Sequence, residues 1–247
     1  MPRQPSYSRI AYAFGPGPVP PTIKALIWAN VLMFVAAWLF PAITLYLGLM
    51  PDAVLRRLFI WQPVTYLFLH AGFFHIIFNM LALWMFGVEL ERRWGTRFFL
   101  KYYFVTGIGA ALTTIALALL PGSVGGALWY SLTVGASGAI YGLLLAYALA
   151  FPDRPIYMYL LFPIPAKYFV MILGGIAFLS SIAGNEGGVA NAAHLGGLLF
   201  GFLYLRVWRA GPMAEMKYRY VKWRMNRLRR KFDVHQGGRS DWDRHVH

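Results

Sequence analysis

The stretch Gly135-Ala136-Ser137-Gly138 decides how the chain is read. It sets a nucleophile-capable hydroxyl among small residues at the head of an apolar segment that extends from about Trp129 to Phe151. A helix that begins at Ser137 and ends near Phe151 reaches only about 22 Å at 1.5 Å per residue. That is shorter than a hydrocarbon core of about 30 Å. The residues before Ser137 are therefore expected to enter the bilayer as irregular backbone, tolerated at depth only where protein buries it or a water-filled cavity lines it. A wet cavity ending on a serine suggests chemistry. Taken alone, Gly138 and Gly142 form a small-xxx-small pair that reads more readily as helix packing than as catalysis.

Composition sets the solvent. With 59% hydrophobic and 13% charged residues and a mean hydropathy of +0.53, the chain is too apolar for a soluble domain of this length and reads as an integral membrane protein. Lys and Arg number 23 against nine Asp and Glu, clustered at the two ends and in short loops. That distribution sets topology rather than nucleic-acid binding. The absence of cysteine excludes disulfides and thiolate metal sites.

In chain order, residues 1–21 hold Arg3, Arg9 and the run Gly15-Pro16-Gly17-Pro18-Val19-Pro20-Pro21, which has no helical periodicity and reads as a disordered cytoplasmic leader. A six-span membrane domain is expected over residues 22–208, and a basic cytoplasmic tail over 209–247. The first span, from about Thr22 to Phe40, is too long for a signal-peptide core and is followed by no small-residue cleavage site. Residues 41–69 are apolar and aromatic but carry Asp52, Arg56 and Arg57, so they are expected at the interface without crossing. Span two covers about Gly72 to Leu90, span three Phe98 to Leu120, and span four the Ser137 segment up to Pro152. Span five covers Tyr157 to Ala183, and a glycine-rich turn over Gly184 to Val189 leads into span six, Ala190 to Trp208. The expected fold class is all-α, a polytopic bundle of six transmembrane helices.

An even number of spans puts both termini on one side. Between Arg206 and Lys231 there are ten Lys or Arg and a single acid, Glu215, so the positive-inside rule places both ends in the cytoplasm. The even-numbered spans then begin toward the exterior, with His75 and Asn79 in span two, Ser137 in span four and His194 in span six. Polar groups from three segments fall at one depth in the outer half of the bilayer, and intramembrane ionisable residues are functional candidates. The tail interleaves Tyr218, Tyr220, Trp223 and Phe232 with its basic residues. It is expected to lie on an anionic inner leaflet, at about 1 kcal/mol per basic residue, and not on nucleic acid.

His75 and Asn79 are four apart and share a helix face, as do Ser137 and Tyr141, whereas His70 and His75, five apart, do not. The H-E-x-x-H pattern of a zinc protease is missing. None of the five aspartates lies mid-span, which removes an aspartyl mechanism needing two close carboxylates. A transporter would need more ionisable groups within its spans. Serine with histidine as base remains, without an obvious third acid, and this chemistry needs no metal or organic cofactor.

Three runs together resemble the rhomboid intramembrane serine proteases: Gly135-Ala136-Ser137-Gly138 with Tyr141, Ala193-His194-Leu195-Gly196-Gly197 with Gly201, and His70-Ala71-Gly72-Phe73-Phe74-His75 with Asn79. Each is a weak signal alone; on spans four, six and two they are specific. The resemblance covers about residues 22–208. It implies Ser137 as nucleophile, His194 as general base, and His75 and Asn79 as oxyanion donors beside the backbone N–H of Ser137. It also implies Tyr141 packed on the His194 ring, with Gly135, Gly138 and Gly197 in support. Glu91, Arg92 and Gly95 resemble that family's structural cap at the cytoplasmic end of span two. The chain departs from many members at Trp61-Gln62, where they carry Trp-Arg, which bears on how the first loop is anchored.

Substrates are expected to be single-span transmembrane proteins cut near the outer face, because a carbonyl inside an intact helix is engaged with the N–H four residues on. The expected location is a prokaryotic plasma (inner) membrane. A non-catalytic rhomboid-like protein that binds transmembrane helices as a chaperone or trafficking factor is the alternative, and it would be expected to lack the serine or the histidine.

Overall fold

The structure, a computed structural model, describes residues 16–158, 162–182, 188–209 and 220–227. Arg3 and Arg9 of the leader, residues 184–187 of the glycine-rich turn, and Tyr218 and Phe232 of the tail lie outside the described residues. Helix α1 spans Pro21–Leu39 and starts on a proline, whose missing N–H is one that the first turn leaves unpaired anyway. The first loop folds as three short helices, α2 (Ala42–Leu47), α3 (Pro51–Arg56) and α4 (Gln62–Thr65), followed by a 3-10 turn over Tyr66–Phe68. Helix α5 (Phe73–Ala82) continues through a π-helical turn (Leu83–Gly87) into α6 (Val88–Trp94). Then come α7 (Thr96–Ala118), α8 (Ser123–Trp129) and α9 (Ser137–Ala150). An antiparallel hairpin of β1 (Pro155–Met158) and β2 (Phe162–Pro165) leads to α10 (Ala166–Ile182) and α11 (Gly188–Arg209).

Helix α7 is the hub, packed against α6, α8 and α9. Its Phe99, Tyr102 and Tyr103 are fully buried. Buried hydroxyls need partners, and two of them tie neighbouring segments together. Tyr66 Oη donates to the Gly107 carbonyl at 2.7 Å, and Tyr102 Oη donates to the Gly142 carbonyl at 2.8 Å.

The first loop is anchored by the residue that departs from the family pattern. Gln62 is fully buried; its Oε1 accepts from the Met50 N–H at 3.0 Å and its Nε2 donates to the Tyr46 carbonyl at 3.3 Å. The Trp61 indole N–H reaches the same carbonyl at 3.0 Å, and Thr65 Oγ1 donates to the Leu47 carbonyl at 2.7 Å. A neutral amide that both accepts and donates therefore holds the loop without the charge that arginine would bring. Asp52, expected at an interface, is buried and accepts from the Trp129 indole N–H at 3.0 Å, tying α3 to α8. Arg56 and Arg57 flank it at 3.5 and 3.7 Å.

At the opposite end of the long helices, Gly95 adopts φ +78 and donates its N–H to the Glu91 carbonyl at 2.7 Å, a left-handed stop that glycine adopts readily. Buried Glu91 accepts from Thr96 Oγ1 at 2.7 Å, and Arg92 donates to the carbonyls of Pro16 and Pro18. These residues have the structural role expected of them.

The structure departs from the sequence expectation in three places. By length and composition three described helical segments suffice to cross a bilayer, Pro21–Leu39, Phe73–Trp94 and Thr96–Ala118, and not the six expected. Helix α9 has 14 residues, about 21 Å at 1.5 Å per residue; α10 has 17 among the described residues, which by themselves are short of a straight crossing. Helix α11 has the length for a crossing, 22 residues. Second, residues 157–158 and 162–165, expected in span five, are strand rather than helix, because Pro163 and Pro165 would each remove a helical hydrogen bond and clash with the preceding turn. The fold is otherwise all-α among the described residues. Third, Gly188 and Val189, expected in a turn, already belong to α11.

The chain divides into two compact units, Met1–Leu205 and Arg206–His247. In the second, residues 220–227 are helical and exposed, with the Arg227 guanidinium 5.5 Å from the Trp223 ring centroid.

Replacing Gln62 by Met keeps the volume but strands the Met50 N–H. A buried unsatisfied group costs about 1–3 kcal/mol, so Gln62→Met should lower the thermal unfolding midpoint in detergent. An unchanged midpoint would show that the amide bonds do not hold the loop.

Candidate active site

The seven residues between α8 and α9, 130–136, are irregular, and their backbone is held by the first loop. Leu49 and Thr133 exchange two backbone hydrogen bonds at 2.9 and 2.8 Å, and the Gly135 N–H donates to the Tyr66 carbonyl at 2.9 Å. Gly135 has φ +122, and a Cβ there would lie 2.8 Å from the His75 ring. Glycine is thus required twice, for the conformation and for the close approach. The chain then turns at Ala136, which caps α9 with no side-chain hydrogen bond, so the first-turn N–H groups remain unclaimed by a cap.

Helix α11 meets α9 through glycine. A Cβ at Gly197 would lie 1.9 Å from the Gly138 carbonyl oxygen, and one at Gly138 would lie 2.6 Å from the Ala110 side chain on α7. That approach brings His194 Nε2 to 2.8 Å from Ser137 Oγ. The Tyr141 ring, one turn along α9 from Ser137, stacks on the His194 ring with centroids 4.1 Å apart and an interplanar angle of 7°. His194 Nδ1 is buried and meets no protein hydrogen-bond partner, so the stacked tyrosine and the serine orient the imidazole.

From α5, His75 Nδ1 accepts from the Ala71 N–H at 3.4 Å. A nitrogen that accepts carries no proton, so the His75 N–H is at Nε2, on the edge beside Gly135. Asn79 is buried, and its Nδ2 donates to the His75 carbonyl at 2.7 Å with one of its two hydrogens. His75, Asn79, Gly135, Ser137, Tyr141 and His194 all line one cavity of about 270 Å³, room for several waters at about 30 Å³ each. The residues singled out in the sequence therefore come together, with Gly138 and Gly197 behind them. A serine bonded to a histidine beside unclaimed N–H groups can perform nucleophilic acyl transfer.

Tyr66, Thr133 and Val134 also line the cavity and escaped the sequence reading. Tyr66 acts through its backbone carbonyl, which no side-chain pattern reports. The helical-face argument that separated His70 from His75 does not apply either. His70 precedes the helix, and its ring meets the His75 ring edge-on at 5.0 Å.

The model of the rhomboid domain family matches residues 58–210. The chain belongs to the rhomboid family. Among rhomboid relatives it is similar to rhomboid protein 1, mitochondrial, of Saccharomyces cerevisiae, 34% identical over 202 residues, which cover 74% of this chain and 51% of that protein. It is also similar to rhomboid protease GluP of Bacillus subtilis, 32% identical over 143 residues, 58% of this chain and 25% of that protein. A third is rhomboid protease AarA of Providencia stuartii, 32% identical over 151 residues, 58% of this chain and 54% of that protein. The chain thus spans about half or less of the length of these rhomboid relatives.

The glycine contact gives a direct test of how this rhomboid site is assembled. Gly197→Ala drives a methyl into the Gly138 carbonyl, a clash that outweighs the gain of about 1 kcal/mol from better helix propensity. The Ser137–His194 separation in a structure of the variant should open beyond the hydrogen-bond range of about 3.2 Å. Gly175→Ala on α10, where a Cβ meets nothing within 4 Å, should leave it intact. Equal separations in the two variants would remove the glycine contact as the determinant.

Proposed function

We propose that the chain is an intramembrane serine endopeptidase that cleaves single-span transmembrane proteins near the outer face. The observation that carries this reading is the 2.8 Å contact between His194 Nε2 and Ser137 Oγ inside a cavity at the start of α9. Two similar relatives, GluP and AarA, bear the name protease, which agrees with it. In this reading all six apolar segments thread the bilayer, and the short α9 is reached from outside through residues 130–136. Both basic termini face the cytoplasm of a prokaryotic inner membrane. The membrane domain covers residues 22–208, after a leader of residues 1–21. The basic tail, 209–247, lies on the anionic inner leaflet and takes no part in the chemistry.

Ser137 Oγ attacks the scissile carbonyl carbon while His194 Nε2 takes its proton. The carbonyl oxygen becomes an oxyanion facing the Ser137 backbone N–H, the His75 Nε2–H and the second Asn79 amide hydrogen. The positive end of the α9 dipole adds to that stabilisation. Each oxyanion donor is typically worth about 3 kcal/mol in the transition state. His194 then passes the proton to the leaving amine, the C–N bond breaks, and a water activated by the same histidine releases the acyl group. Ser137 reaches a carbonyl only where the substrate helix opens. Exposing unpaired backbone in hydrocarbon is costly, so a small residue before the cut and helix-weakening Gly, Pro or polar residues nearby favour cleavage.

Purified protein with a fluorogenic single-span substrate in detergent tests the reading. Ser137→Ala and His194→Ala should each lower turnover by about 10⁴-fold or more, since the two groups act as one unit, with unfolding midpoints near the parent's. Substrate binding without cleavage by the unmodified protein would favour the helix-binding chaperone instead.

A further inference from the structure

The hairpin between α9 and α10 belongs to no part of the site. Residues 155–165 read PIYMYLLFPIP, with no charge. Its base is fixed: Ile156 is buried in the main core, the Ala166 N–H donates to the Arg154 carbonyl at 2.9 Å, and the Lys167 N–H donates to the Pro152 carbonyl at 3.1 Å. Farther out, Phe162 is 65% exposed.

An exposed apolar hairpin ordinarily invites another strand, but this one lacks the donors. The register pairs Pro155 with Pro165, Ile156 with Ile164, Tyr157 with Pro163 and Met158 with Phe162. Hydrogen-bonded and non-bonded pairs alternate in an antiparallel ladder. Since the next pair outward, Arg154 with Ala166, is bonded, the bonded pairs within the hairpin are 156 with 164 and 158 with 162. Positions 155, 157, 163 and 165 therefore turn their backbone outward. Three of them are proline, and only Tyr157 offers an N–H. Neither edge supports strand addition.

Charge at this end of the bundle points to a different occupant. Arg154 pairs with Glu89 on α6 and lies 4.6 Å from the Phe151 ring centroid, and Arg93 lies 5.4 Å from the same ring. The nearby carboxylates are already engaged, Glu89 by Arg154, Asp153 by Lys167 at 2.7 Å and Glu91 by Thr96. Arg92, Arg93, Arg97, Arg154 and Lys167 outnumber Glu89, Glu91 and Asp153, so positive charge is left in surplus. Tyr168, half exposed beside Lys167 at the head of α10, is the kind of residue that sits at a headgroup boundary.

We infer that the hairpin is an interfacial anchor that docks into the headgroup region of an anionic phospholipid leaflet, Phe162 and Pro163 entering the acyl boundary while Arg92, Arg93 and Arg97 meet lipid phosphate. It fixes the lower ends of α9 and α10 relative to the bilayer, and it holds whether or not Ser137 is catalytic. The chain has no native cysteine, so Phe162→Cys, Pro163→Cys and, as comparator, the exposed Asp153→Cys can each carry a single nitroxide in the full-length protein. In nanodiscs of phosphatidylcholine with phosphatidylglycerol, the ratio of oxygen to nickel-chelate collision rates should be severalfold higher at 162 and 163 than at 153. It should fall when phosphatidylglycerol is omitted. Ratios at 162 and 163 equal to that at 153 would overturn the anchor. Labels shielded from both reagents would overturn it in favour of a protein contact, such as a second copy. A ratio indifferent to phosphatidylglycerol would overturn the anionic partner.

Discussion

Backbone polar groups inside a membrane protein must find partners, and residues 130–136 cannot supply one another's because they form no helix. The first loop supplies them. Two bonds between Leu49 and Thr133, and one from the Gly135 N–H to the Tyr66 carbonyl, turn an irregular descent into a fixed one. The remaining geometry follows from that clamp. It sets Gly135 against His75 and starts α9 at Ser137. It depends in turn on Gln62, whose buried amide holds the two halves of the loop together. A loop that lies outside the long helices is therefore part of the wall of the cavity.

Glycine performs the second positioning step. With a Cβ at Gly197 placed 1.9 Å from the Gly138 carbonyl oxygen, α11 sits where no side chain fits, and His194 reaches Ser137 without a long arm. Short connections between rigid helices lose little entropy on ordering, and productive geometry must hold to about 0.5 Å. Where a triad would place an acid at the second imidazole nitrogen, this site has a buried Nδ1 without a protein partner and a tyrosine face against the ring. Stacking fixes the ring plane and leaves the proton on Nδ1 when Nε2 accepts from the serine.

Much of this was legible in the sequence. The short apolar run after Gly135-Ala136-Ser137-Gly138 announced a helix too short to cross and a descent without helix, and α9 begins at Ser137. The spacing of His75 to Asn79 and of Ser137 to Tyr141 placed each pair on one face, and the cavity receives all four. What stayed hidden was backbone work. Tyr66 contributes through a carbonyl, and Gln62 bonds a backbone N–H and a backbone carbonyl far away in sequence. The hairpin was hidden because an apolar run of helical length covers residues 157–183, although Pro163 and Pro165, two apart, carried the signal against a helix. Counting spans by helix length stops short of six for a related reason. Hydropathy marks apolar segments but not how much of each is helix, and α9 and α10 are helical over only 14 and 17 described residues.

The central claim is that the clamp and the glycine contact make Ser137 a nucleophile activated by His194. Reaction of the purified chain with a fluorophosphonate, followed by peptide mass mapping, tests it most directly. The account predicts a single adduct, on Ser137, that disappears in Ser137→Ala and forms far more slowly in His194→Ala. An adduct on another serine, or none on a folded protein, would contradict it.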